Sequence, residues 1–164
     1  MSHYTLTAEH IQKKYNGRII LHDASIHVEK GGIYGLVGKN GSGKTTLLKI
    51  LTGQIQRYSG TVSIEEDKQR VSAVINSPAL FLNFNAFENM KEQSVLLGKR
   101  DDRKIRDILI TVGLEDCNHK LVRDYSLGMA QRLRLALALL GDPNILILDE
   151  PVNGLDPDGI ADLR

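Results

Sequence analysis

Residues 33–51 constrain the fold more than any other part of this chain. A short apolar run, Ile33 to Val37, leads into Gly38-Lys39-Asn40-Gly41-Ser42-Gly43-Lys44-Thr45, and Leu47, Leu48, Ile50 and Leu51 then follow with helical spacing up to a stop at Gly53. The run reads as a buried strand and the last stretch as a helix beginning near Lys44. The segment between them fits G-x-x-x-x-G-K-[ST]. Phosphate oxygens need several convergent backbone N–H donors with no side chains in the way, and glycine permits both the tight turn and the close approach. The following helix points its positive N-terminus at the same anion. Lys44 supplies a point charge for the β- and γ-phosphates, and Thr45 a hydroxyl for Mg²⁺.

A second feature fits the first. Ile145-Leu146-Ile147-Leu148 ends in Asp149-Glu150. Four aliphatic residues in a row predict a strand buried on both faces, which places the two acids at its carboxyl end, where open parallel sheets bind ligands. Asp149 is suited to hold Mg²⁺ through water, and Glu150 to polarise an attacking water.

The rest of the chain supplies a frame. Asn16-Gly17, between Lys13-Lys14-Tyr15 and Arg18 to His22, predicts a hairpin, because both turn positions need positive φ. Ser25 to Glu29 and Thr61 to Ile64 alternate as half-buried strands, Gly31-Gly32 and Ser59-Gly60 mark turns, and Val71 to Ile75 reads as a buried strand. From about Ala86 to Leu140 the pattern turns helical. Ile105, Ile108, Leu109 and Val112 share one helix face, with Asp101 or Asp102 as cap and Gly113 as stop. Ser126 opens a Leu/Ala-rich helix that Pro143 ends. The order predicts an α/β protein with a helical subdomain.

The 164 residues suffice for one domain. A net charge of +1 gives no general attraction for nucleic acid or anionic lipid. Lys99-Arg100 is followed at once by Asp101-Asp102, a solvated surface rather than a binding patch. Cys117 is the single cysteine, so no internal disulfide forms, which suits a reducing cytosol. The first residues have no signal-peptide pattern, and the longest apolar stretch, Leu135 to Leu140, is far short of the roughly 20 residues that span a bilayer. A membrane role therefore requires a partner.

Tyr125-Ser126-Leu127-Gly128-Met129-Ala130-Gln131-Arg132 resembles the signature motif of ABC ATPases, whose common form is Leu-Ser-Gly-Gly-Gln. It lies upstream of Asp149-Glu150 and opens a helix, as in that family. Asn153-Gly154-Leu155-Asp156-Pro157 resembles the family's D-loop, and Tyr15 stands where the family has an aromatic residue that stacks on adenine; an ordinary hairpin tyrosine is the other reading. Ser-Leu-Gly-Met is similar to the ATPases of bacitracin- and lantibiotic-type exporters. The resemblance implies a P-loop NTPase (RecA-like) core with an N-terminal antiparallel β subdomain. Residues 1–84 and 143–164 would form this nucleotide-binding part, and residues 85–142 the helical signature subdomain, all within one domain, 1–164.

It further implies an ATP-hydrolysing subunit that powers a transporter. Two such domains close head to tail around two ATP molecules. Each ATP meets Tyr15, Gly38, Asn40, Gly41, Ser42, Gly43, Lys44, Thr45 and Thr46 of one chain, and Ser126, Gly128 and Asp156 of the other. The helix N-terminus at Ser126 and Gly128 suits a γ-phosphate. Catalysis would rest on Glu150 and Lys44, and Mg²⁺ on Thr45, Asp149 and Asn76. The partners implied are ATP, a second ATPase domain and a transmembrane permease, with no direct nucleic-acid binding and a cytoplasmic position on the inner face of the membrane. The permease is expected to dock at a groove built partly from Asn76 to Asn89.

The sequence departs from the family pattern in several places. Leu127 replaces a glycine and Met129 a glutamine of the signature, and Asn76 stands for the Q-loop glutamine, one methylene shorter. The chain ends at Arg164, before the strand that carries the family's switch histidine; His3, His10, His22, His27 and His119 all lie upstream. The expectation is an incomplete domain, its core missing a C-terminal part, with a gap or unpaired edge in the central sheet. A nucleotide-binding module without turnover and a non-transport ABC ATPase are the competing readings.

Overall fold

The computed structural model describes residues 4–65, 70–76, 78–117 and 119–151. The chain divides into two compact units, Met1–Gln69 and Arg70–Arg164.

The first unit is built on a long hairpin. Strands β1 (Tyr4–Tyr15) and β2 (Arg18–Glu29) pair antiparallel, with Tyr15 opposite Arg18. The two-residue loop has Asn16 at φ 48° and Gly17 at φ 80°, the double left-handed geometry that Asn-Gly was expected to supply. Strand β3 (Ser59–Ile64) adds to the other edge of β1, giving the order β2-β1-β3. Leu6, Ala8 and Ile11 of β1 are buried, each 1% exposed or less. Their spacing breaks strict alternation, and β1 changes register between Ala8 and Ile11, where His10 takes φ 53°. A bulge there returns Ile11 to the core side. Helix α1 (Lys44–Leu51) buries Leu47, Ile50 and Leu51, and ends at Thr52 and Gly53 (φ 72°) as its sequence indicates.

One expectation fails in this unit. Ile33 to Val37 forms no strand, and Ile33 and Val37 are fully exposed (101% and 95%). Apolar content suits a strand to burial, but a strand exists only where a neighbour takes its N–H and C=O groups. Among the described residues no strand pairs with this segment.

The second unit combines a parallel pair with a helical cluster. Strands β4 (Val71–Val74) and β5 (Ile145–Leu148) pair parallel, Val71 with Ile145 and Val74 with Leu148. β5 is not buried on both faces, as its composition predicts. Ile145 and Ile147 are buried while Leu146 is 37% exposed, so one face of the strand is well covered and the other is not.

Helices α2 (Ala86–Leu96), α3 (Asp102–Thr111) and α4 (Leu127–Leu139) enclose a core of Met90, Ile105, Leu109, Leu114, Val122 and Leu133. Each helix starts on a side-chain cap. Asn85 and Glu88 form a reciprocal capping box, Asp101 accepts from the Arg103 and Lys104 amides, and Ser126 accepts from the Met129 amide at 3.2 Å. Cys117 packs half-buried against this core, and burial pushes its thiol above the ordinary range. No helix of the described residues is long and apolar enough to cross a membrane.

The turn after α4 carries a titratable tie. Asp142, at φ 53°, accepts a hydrogen bond from Lys104 Nζ, with Lys99 Nζ at 3.8 Å. The Lys104 hydrogen bond, chiefly, holds its carboxyl below the usual carboxylate range. A depressed folded-state value contributes stability above the unfolded value of about 3.9 and loses it as pH falls through the folded value. Asp142→Asn, which keeps a residue tolerant of positive φ, is expected to lower stability at pH 7 by under about 1 kcal/mol, since half of the side chain is exposed. Urea unfolding of both proteins at pH 7 and pH 2.5 checks this: the difference is smaller at the lower pH.

Candidate functional site

In the first unit the glycine segment forms a cradle in front of α1. The Ser42 amide donates to Lys39 O at 3.1 Å, and the Leu47 amide to Gly43 O at 2.9 Å, the first helical bond. Gly43 caps the helix at φ 94° with no side-chain bond. A Cβ on Gly43 would sit 2.8 Å from Leu21 Cδ2 and 3.0 Å from Ile20 O, so the close approach of β2 requires glycine here. Gly41 has φ 78° and nothing within 4 Å of a built Cβ, which leaves that side of the loop open. The first turn of α1 holds no acidic residue. Its backbone N–H groups are therefore offset by no carboxylate of their own turn, the condition for an anion site.

Lys44 reaches back over the loop. Its Nζ donates to Gly38 O at 2.7 Å and to Lys39 O at 3.1 Å. The ammonium is thus held at the mouth of the cradle by two carbonyl dipoles, where incoming phosphate oxygens can replace them. Thr45 and Thr46 follow in the first turn, half-buried, while Asn40 and Ser42 are exposed. Tyr15 stands at the hairpin end, 46% exposed, with Lys13 Nζ 4.6 Å from its ring centroid. Leu21, which touches Gly43, pairs with Lys13. Tyr15 is two residues further along β1, roughly 7 Å at ordinary strand rise.

In the second unit the parallel register brings two loops to one edge. Val74 and Leu148 are partners, so both chains leave the sheet at the same end. The Asp149 amide donates to Val74 O at 2.9 Å and prolongs the ladder by one bond. Asn76 and Glu150 both turn with positive φ, 54° and 51°. Asn76, Asp149 and Glu150 therefore share the carboxyl end of the pair. Glu150 is exposed and Asp149 half-buried. Among the described residues no group of three His, Cys, Asp or Glu gathers as a metal centre. The donors at this edge, the Asp149 carboxylate and the Asn76 amide oxygen, are hard oxygens of the kind Mg²⁺ takes together with phosphate and water. Ser126 is exposed, Gly128 half-buried, and the Ser126 hydroxyl oxygen is engaged with its own helix. Asp156 lies outside the described residues.

The sequence did not reveal two polar side chains behind this edge. Asn89, 2% exposed, accepts from the Phe81 amide at 2.9 Å and donates to Phe81 O and Asn85 O, so it clamps one residue's backbone from both sides. Arg134 donates from Nε to Pro78 O at 3.1 Å across 56 positions of sequence. The signal available for Arg134 was its place as the one charge in the Leu133 to Leu139 part of α4, otherwise leucine and alanine.

Comparison with known proteins agrees with this architecture. The ABC transporter family model matches residues 21–153. The lantibiotic transport ATP-binding protein SrtF of Streptococcus pyogenes is 40% identical over 165 residues, covering 97% of this chain and 72% of that protein. The bacitracin transport ATP-binding protein BcrA of Enterococcus faecalis is 37% identical over 170 residues, covering 98% and 55%. A solved ATP-binding subunit of an ABC transporter superposes with a TM-score of 0.83 at 25% identity, covering 97% of this chain and 71% of that one. An ATP-binding cassette in its ADP conformation gives 0.84 at 22% identity, which speaks to the fold alone. With four-fifths of its length inside the family model and the P-loop α/β fold in common, the chain belongs to the ABC transporter family.

Proposed function

We propose that the chain binds and hydrolyses Mg-ATP to drive a membrane transporter, acting as a head-to-tail pair. The cradle from Gly38 to Thr45, with Lys44 poised over it at the start of a helix that has no acid in its first turn, carries the reading. In this account the backbone at Gly38, Asn40, Gly41, Ser42 and Gly43 receives the phosphates, with Thr46 beside them in the first turn of α1. Lys44 leaves its two carbonyls for the β- and γ-oxygens. Thr45, Asp149 and Asn76 hold Mg²⁺, which when bound neutralises phosphate charge. Glu150 accepts the proton of the attacking water. Tyr15 stacks on the adenine.

Ser126 and Gly128 of the second chain, with its Asp156, complete each site. Residues 1–84 and 143–164 act as the nucleotide-binding part and 85–142 as the helical part of one domain. Attachment to the cytoplasmic face of the membrane comes through a permease. Phe81 and Leu82, each 57% exposed beside the clamped loop, offer it an apolar seat in the expected groove from Asn76 to Asn89.

Titration with a fluorescent ATP analogue tests the reading at its base. Lys44→Ala removes charge-assisted hydrogen bonds and is expected to weaken binding roughly 10- to 100-fold. Specific turnover rises with protein concentration if the site is shared between two chains. Equal affinity in both proteins sinks the reading, and turnover independent of concentration sinks the pairing.

A further inference from the structure

Beside the cradle, one ammonium has a fixed place that the mechanism above does not use. Lys13 lies two residues before Tyr15 on β1 and is half-buried. A lysine at the end of an exposed strand ordinarily keeps its ammonium in water. Here Nζ instead donates to Arg57 O, 44 positions away in sequence, and stands 4.6 Å from the centroid of the Tyr15 ring. A long side chain gives up rotamer freedom to hold one direction, and this direction sets a cation against an aromatic face.

The carbonyl that holds Lys13 is itself anchored on both sides. Before it, the Ile55 amide donates to Lys49 O of α1 at 3.1 Å; after it, Ser59 opens β3 opposite Gln12. The other end of α1 carries the cradle, where Leu21, the partner of Lys13 across the hairpin, approaches Gly43. The Tyr15 ring is thus referred, through Lys13, to the helix whose first turn faces the phosphates. We propose that Lys13 is a positioning residue for the base: its ammonium, held by Arg57 O, sets the Tyr15 ring in place before nucleotide arrives, and the adenine stacks on the face turned away from that ammonium. This deepens the reading of Tyr15 as the adenine-stacking residue and rests on it. Without Lys13 the ring, 46% exposed, has to be ordered at the moment of binding, and affinity falls by that cost. The phosphate cradle is built by other residues, so the loss is confined to ligands that carry a base.

The test uses the whole chain and two probes with Mg²⁺, a non-hydrolysable ATP analogue and inorganic tripolyphosphate, each titrated by calorimetry. Lys13→Met is expected to weaken binding of the analogue roughly two- to tenfold, as for one side chain left to be ordered by the ligand, and to leave tripolyphosphate unchanged. Unchanged tripolyphosphate binding also shows that the cradle of the variant is folded. Lys13→Arg, which keeps both the cation and a donor, recovers most of the loss. In a Tyr15→Ala background, Lys13→Met has no further effect on the analogue, because the interaction it removes is already gone. An equal loss for both probes makes Lys13 a charge for the phosphates and overturns the proposal. Unchanged affinity for the analogue in Lys13→Met, or a loss that persists in the Tyr15→Ala background, overturns it too. Tyr15→Ala alone binding the analogue as tightly as the wild type defeats the stacking reading and takes the proposal with it, an outcome seen without any change at Lys13.

Discussion

Glu150→Gln is expected to lower Mg-ATP turnover roughly 10²- to 10³-fold while leaving nucleotide affinity within about twofold. Glutamine keeps the size and one oxygen of the side chain but cannot accept a proton at neutral pH. The carboxylate sits in the right kind of place for a base. It is two residues beyond Leu148, at the shared carboxyl end of β4 and β5, and exposed enough to be reached by water. Its neighbour Asp149 is drawn back toward the sheet by the bond from its amide to Val74 O, so the two acids leave the strand differently and are suited to different tasks. Rate and affinity must be measured together, because a lost base removes an interaction of the transition state, whereas a disturbed pocket weakens both. Turnover in Glu150→Gln equal to the wild type removes Glu150 from the mechanism. Binding without any turnover in the wild type leaves a nucleotide-binding module.

The parts of this fold that were legible in the sequence are those decided within a few residues. Asn16-Gly17 turns because both residues tolerate positive φ, and Asp101 and Ser126 start helices because their oxygens reach amides two or three positions on. Gly53 and Gly113 stop helices through their own φ of 72° and 66°. The cradle belongs to the same class, since its shape follows from where the glycines fall. What was not legible depends on distant partners. Ile33 to Val37 has a strand's composition but no neighbouring strand among the described residues, and the exposure of Leu146 depends on what lies over β5. The change of register near His10 is settled by β2, and the Arg134 tie by a carbonyl on another segment. In the candidate site the residue types could be read. The bonds from Lys44 to Gly38 and Lys39 could not, because a lysine's direction is set by the carbonyls that the folded loop presents.

Leu133→Ala is expected to destabilise the second unit by about 3 kcal/mol, within the roughly 2–5 kcal/mol found for leucine truncation in well-packed cores. Leu133 is fully buried, at the meeting of α4 with Met90 of α2, Ile105 and Leu109 of α3, and Val122. These neighbours come from separate helices, and each helix is fixed at its start by its own cap, so the walls cannot easily close on the space left behind. Leu127→Ala is the internal control. It removes the same atoms from the same helix, but Leu127 is 62% exposed, and the change should fall within about 0.5 kcal/mol. Urea unfolding followed by helical circular dichroism reads both, with a midpoint about 1–3 M lower for Leu133→Ala at ordinary slopes. A cost near 1 kcal/mol would mean that the helices relax into the cavity. In that case α4 is not rigidly seated, and Ser126 at its start would not be held in the fixed position that the proposed head-to-tail pair requires.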